Sequence, residues 1–226
     1  MTSSDATAAN PTSTTPATEP PTTGRPSTPA EAWAALLAGN KRFVDGAPSH
    51  PHQDATRRES LAHNQAPFAM VFGCSDSRLA AEIIFDVGLG DMFVVRTAGH
   101  VIDESVLGTL EYGVTPLGIP LLVVLGHDNC GAVTAASNSY NTGEMPVGYI
   151  RDLVERIVPS VMSAERKDLT EVDDIVGEHV LQTMHRLPER STVLNKAVEE
   201  GKVAIVGITY RLADGHAGVV DVIGNL

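Results

Sequence analysis

Phe68-Ala-Met-Val-Phe-Gly73 runs straight into Cys74, and Pro120-Leu-Leu-Val-Val-Leu-Gly126 runs straight into His127. Apolar runs of this length, bounded by Pro and Gly, fit strands buried on both faces, the pattern of a parallel sheet. Further runs at Asp91–Arg96 and Val203–Tyr210 alternate with helical patterns. That alternation predicts an α/β fold with right-handed crossovers. Cys74 and His127 then both stand just past the carboxyl ends of strands, the edge where open α/β sheets bind ligands.

The only two cysteines lie in CSDSR, residues 74–78, and HDNC, residues 127–130. Two thiolates and an imidazole make a Cys2His set, the ligand count of a catalytic zinc site with one position open to water. A structural site needs a fourth protein ligand, which here would be a His or a carboxylate. Two cysteines can also be plain buried apolar residues, but their placement at strand ends favours a metal. Asp76 and Arg78 supply a carboxylate and a guanidinium in the same loop.

CSDSR, the following GLGDMFVVRTAGHV and then VVLGHDNCGAV resemble the β-class carbonic anhydrases, as bacterial members with plant-type pocket residues. The resemblance runs from about Trp33 to the carboxyl terminus. It implies one zinc per chain on Cys74, His127 and Cys130, reversible hydration of carbon dioxide to bicarbonate and a proton through a zinc-bound hydroxide, and a homodimer or tetramer. Carried over residue by residue, it makes Asp76 and Arg78 catalytic and assigns a substrate pocket to Gln65, Phe93, Ala98, Tyr112 and the backbone N–H of Gly131. Gln65 would donate its amide to a bicarbonate oxygen, and Phe93 and Tyr112 would form an apolar wall. Ala98 replaces a commoner valine and makes the pocket roomier. Gly99-His100 departs from the usual Gly-Asn.

The ligand charges set an expectation for pH. Two thiolates formally cancel both charges of zinc, so its water should be less acidic than at a three-histidine site, and activity should rise into alkaline pH. Ionised Asp76 can only accept hydrogen bonds, so it would select a metal-bound group able to donate one. Arg78 would hold it ionised. Were that pair to break, Asp76 could swing onto the metal and close the site. His50, His52 and His63 are candidates for proton export by residue type alone. His179, His185 and His216 carry no assignment.

The expected architecture is one α/β domain, residues 29–226. It has a central, mostly parallel sheet flanked by helices, an amino-terminal helical arm and a short antiparallel edge strand, Val219–Ile223. Thr28-Pro-Ala-Glu31 reads as a capping box with proline at the first helical position. Trp33, Leu36, Leu37, Phe43 and Val44 follow at helical spacing. Short helices are expected over Leu79–Phe85 and Asp103–Thr115, and from Gly131 onward. The stretch from Val147 to about Gly201 reads as mostly helical, broken at Pro159 and Pro188. Residues 1–28 are almost all Thr, Ser, Pro and Ala and read as a disordered tail.

The net charge of −12 belongs to the domain, since the first thirty residues hold only Asp5, Glu19 and Arg25 as charged groups. It argues against nucleic acid and anionic membranes as partners. No apolar stretch approaches the roughly 18 residues of a membrane helix, and the first residues lack a secretory pattern. Thiols kept as metal ligands fit a reducing compartment, hence the cytoplasm. Two rival readings stay open: the same scaffold acting on carbonyl sulfide or carbon disulfide, and a non-enzymatic zinc- or bicarbonate-binding protein with Asp76 as permanent fourth ligand. A thiol redox protein is disfavoured, because no CxxC is present.

Overall fold

A computed structural model describes residues 24–226. The first twenty-three residues of the expected tail lie outside the described residues. Of the tail's last residues, Arg25 donates to the carbonyl of Pro67, and the Ser27 N–H donates to Glu31 at 2.8 Å.

Five strands form one sheet: β1 (Ala69–Cys74), β2 (Met92–Thr97), β3 (Leu121–His127), β4 (Ala204–Tyr210) and β5 (Ala217–Ile223). Their order is β2-β1-β3-β4-β5. The first four run parallel, and β5 pairs antiparallel with β4. Every residue of β1 and β3 is buried, which explains why these strands read as unbroken apolar runs. Their side chains alternate between two layers. Val71, Leu121, Val123 and Leu125 join one core, while Met70, Phe72, Leu122 and Val124 join the other.

The first core is covered by α1 (Pro29–Val44), α5 (Gly131–Thr142) and α6 (Ile150–Glu165), through Trp33, Leu36, Val133, Ala136, Ile157 and Val161. The second is covered by α4 (Glu104–Val114), α7 (Val172–Arg190) and α8 (Thr192–Glu199), through Val106, Leu110, Val180, Met184 and Leu194. The capping box on α1 is present, with both Thr28 and Glu31 making their reciprocal bonds. No helix among the described residues is long and apolar enough to cross a membrane.

Two expectations need correction. Pro159 and Pro188 do not break the helical stretch, since α6 and α7 run through them. An interior proline removes one helical hydrogen bond and costs about 3 kcal/mol. Pro159 lies on the exposed side of α6, where the orphaned Glu155 carbonyl can turn to water. The opposite face buries Val154, Ile157, Val161 and Ala164, and burying three such branched side chains outweighs the loss. Pro188 falls in the last turn of α7. The breaks come instead between α6 and α7 and at Ser191, whose hydroxyl accepts from Leu194 N–H and donates to Glu111. Two short elements escaped the sequence reading: α2 (Ala55–Ser60), which buries nothing, and a 3-10 turn at Ala98–His100. The helix expected over Leu79–Phe85 contracts to α3 (Ala81–Ile84).

Candidate metal centre

Cys74 ends β1 and His127 ends β3, and these strands are neighbours in the sheet. A tight turn through Asp128 and Asn129 then brings Cys130 back as the N-cap of α5. Three hydrogen bonds fix that turn. Asp128 N–H donates to the Tyr210 carbonyl at 3.1 Å, Leu212 N–H donates to Asp128 at 3.0 Å, and Asn129 N–H donates to Asp173 at 2.9 Å. Asn129 takes a left-handed conformation, φ 51°, which asparagine tolerates better than most residues.

The two sulfurs and an imidazole nitrogen consequently lie within 4.8 Å of one another, all in buried residues. The Nδ1 of His127 lies 2.8 Å from the Asp128 carbonyl. A carbonyl can only accept, so Nδ1 carries the proton and Nε2 presents a lone pair. That Nε2 is buried and has no hydrogen-bond partner. A buried lone pair without a donor is costly unless something else takes it, and a metal ion beside two thiols does so. The donor chemistry fits zinc.

Electrostatics support the same use. A hydrogen bond from the Cys130 thiol pulls the Cys74 pKa well down against the opposing effect of burial, helped by the Gly99 N–H. Cys130 is pushed up because it holds the proton that Cys74 accepts. The Gly99 N–H lies 3.3 Å from the Cys74 sulfur, and the first N–H groups of α5 face Cys130 and favour its thiolate.

Asp76 projects from the loop after β1 and is held by Arg78. The guanidinium donates from Nε to Oδ1 and from Nη2 to Oδ2, and the Arg78 backbone N–H also donates to Oδ1. The Arg78 side chain is the main reason that the Asp76 pKa falls well below the carboxylate range, burial acting the other way. Asp76 Oδ2 stands 3.9 Å from His127 Nε2.

The sequence reading missed Arg96. It stands opposite Gly73 in the register of β1 and β2, and it donates to the carbonyls of Cys74 and Asp76. It therefore ties the CSDSR loop to the neighbouring strand. Its one signal was a cation closing an otherwise apolar strand.

The remaining expected residues divide between the two ends of the sheet. Ala98 follows Thr97, which pairs with Cys74, and Gly131 follows Cys130, so both border the metal ligands. Phe93 pairs with Met70, about 13 Å back along the strand from Cys74. It contacts Tyr112 at a ring separation of 6.3 Å. Gln65 is exposed and precedes Ala69, at the amino end of β1. Within the chain, therefore, Gln65, Phe93 and Tyr112 do not meet the three ligands. His50 and His52 are also at the amino end, beside Asp86 and Asp91, and His63 is exposed in the same region.

A model of the carbonic anhydrase family matches residues 69–217. Carbonic anhydrase 2 of Mycobacterium tuberculosis is 55% identical over 200 residues, which span 88% of this chain and 97% of that protein. The chain belongs to the carbonic anhydrase family. One solved structure places it in the β class, and a second shares the fold. A β-carbonic anhydrase of Aspergillus fumigatus superposes with a TM-score of 0.64 at 26% identity, covering 84% of this chain and 90% of that one. A tetrameric β-carbonic anhydrase of Sordaria macrospora gives 0.65 at 22% identity, covering 83% and 95%. As a β-carbonic anhydrase, the protein is a zinc enzyme that hydrates carbon dioxide reversibly. The readings as a thiol redox protein, as a carbonyl sulfide or carbon disulfide enzyme, and as a non-catalytic binding protein are not favoured.

Proposed function

We propose that Cys74, His127 and Cys130 are the zinc ligands and that Asp76, gripped by Arg78, governs what may stand beside the metal. One observation carries this reading: the buried, unpartnered Nε2 of His127 lies within 4.8 Å of two thiol sulfurs. Zinc held there supplies Lewis-acid chemistry, lowering the pKa of a coordinated water so that a nucleophile exists near neutral pH. Asp76, ionised and acceptor-only, takes a hydrogen bond from the attacking water and orients its lone pair toward carbon dioxide. Arg78 fixes the carboxylate plane and keeps it off the metal. Arg96 anchors the loop that carries both Cys74 and Asp76. Ala98 leaves room for the substrate, and the free N–H of Gly131 donates to a bicarbonate oxygen.

The rest of the pocket comes from a second copy. β2 is an edge strand and only partly buried along its length. Tyr112 is 49% exposed, and Leu37 and Val44 on α1 are each 42% exposed. Exposed apolar side chains of this kind support an interface between copies. A partner seated there brings Gln65, Phe93 and Tyr112 of one chain to the metal of the other, in a homodimer or tetramer. The two free thiols suit the cytoplasm, where such ligands stay reduced.

The test is stopped-flow hydration of carbon dioxide between about pH 6.5 and 9, with zinc content and molecular mass measured on the same sample. Hydration that follows zinc across preparations is expected. A fully zinc-loaded sample inactive throughout that range would overturn the reading.

A further inference from the structure

Gly99 is an unusual place to find a donor to a metal ligand. Its φ is +64°, and a Cβ there would lie 2.7 Å from Ile157 and 2.9 Å from Ala132. Only glycine fits, yet glycine has the greatest backbone freedom of any residue. The N–H that meets the Cys74 sulfur thus hangs on a glycine, and something must hold it.

The holder reaches in from α7. His179 is 2% exposed, and its Nε2 lies 2.8 Å from the Gly99 carbonyl. A carbonyl only accepts, so Nε2 carries the proton. Nδ1 then accepts from the Ser160 hydroxyl of α6, also at 2.8 Å. Burial keeps the ring neutral, pushing its pKa down to about 4, in agreement with that tautomer. His100 packs against His179 at a ring separation of 4.4 Å and closes the other face.

We propose that His179 is a positioning residue for the metal ligand Cys74, acting through Gly99. Ser160 sets the tautomer and rotation of the His179 ring. The ring pins the carbonyl side of Gly99, and the amide side then keeps its hydrogen on the sulfur. A hydrogen bond to a thiolate ligand withdraws electron density from it and sets its orientation toward the metal. Helices α6 and α7 thereby tune a site to which neither contributes a ligand. This inference rests on the reading of Cys74 as a zinc ligand.

The experiment compares holoenzyme variants His179→Phe, which keeps the ring and loses the donor, and His179→Gln, whose amide N–H reaches the place of Nε2. Zinc affinity is measured by chelator competition. The thiolate-to-metal charge-transfer band is recorded after cobalt substitution. His179→Phe should weaken zinc about 10- to 100-fold and shift the band, and His179→Gln should restore most of both. Parental affinity and an unshifted band in His179→Phe, whatever its thermal stability, would make His179 a packing residue and overturn the proposal. Should His179→Phe not fold, Ser160→Ala decides. It frees the ring to rotate, so zinc should loosen several-fold with a displaced band, and identity with the parent in both would overturn the proposal. Cys74→Ser is run alongside. Full zinc in that variant would remove Cys74 from the ligand set, a failure distinct from any result at His179.

Discussion

Arg78 grips Asp76 through two parallel hydrogen bonds, Nε to Oδ1 at 2.9 Å and Nη2 to Oδ2 at 2.7 Å, while the same Oδ2 stands 3.9 Å from Nε2 of His127. The carboxylate is thus close to the metal ligands but committed elsewhere. Arg78→Ala releases it, either to cap the metal or to lose its orientation. The variant should keep its zinc and lose hydration activity by about 100-fold or more, as for other groups that orient a reacting atom. Metal analysis and stopped-flow kinetics on one sample check this. Activity equal to the parent would reduce the pair to a loop salt bridge.

As the proposed ligands, Cys74 and Cys130 bring two negative charges to a dication. A centre of zero net charge acidifies water less than a cationic one, so kcat/KM should climb above about pH 8. Asp76→Asn should keep zinc and show poor catalysis at every pH, because an amide side chain can no longer act as a pure acceptor. A parental profile flat from about pH 6 to 9 would contradict the charge argument.

Stability should also depend on pH through the buried histidine of α7. The His179 pKa falls from 6.5 to about 4, mainly by burial. Between those values the unfolded chain binds the proton and the folded chain does not, so stability rises with pH. The contribution is complete above about pH 6.5 and is lost as the pH falls toward 4, in total about 3 kcal/mol. Urea midpoints of the metal-free protein across this window should fall with acidity. The slope should shrink in His179→Gln, and an unchanged slope would count against a neutral buried ring.

Gly99→Ala tests the hinge directly. The left-handed conformation costs an alanine about 1–2 kcal/mol, and its methyl would press on Ile157 and Ala132 for about 1–3 kcal/mol more. A loss of roughly 2–5 kcal/mol is expected in denaturant titration, with weaker zinc binding. A variant as stable as the parent would show that the turn rearranges freely.

The placement of Phe93 at one end of the sheet and Cys74 at the other predicts complementation between chains. Cys74→Ser and Phe93→Ser should each be poorly active alone. After dissociation and statistical remixing, half the dimers pair the two variants, and each such dimer holds one intact site. About a quarter of parental activity should return. No recovery would mean that each chain completes its own pocket.

The proposed ligand set was legible because burial on both faces leaves an unmistakable apolar run, and each run ends at Cys74 or His127. Asp76 and Arg78 were legible because they share the loop with Cys74. Arg96 and His179 were not, since each acts on a residue distant in sequence, across a strand register or from a helix to a turn. Nothing local marks such a contact. Pro159 misled for a related reason: whether proline stops a helix depends on which side of it faces solvent, and that is decided by α6 packing on the rest of the fold. The remoteness of Gln65, Phe93 and Tyr112 from Cys74 became apparent only from the register of β1 with β2.

The order of the ligands along the chain has a consequence for biosynthesis. Cys74 leaves the ribosome long before His127 and Cys130, yet its strand must wait for β3, its neighbour in the finished sheet. Until that non-local pairing forms, the first thiol has neither its acceptor geometry nor its companion, and it is open to oxidants. The three-ligand set is therefore complete only after the two central strands have docked.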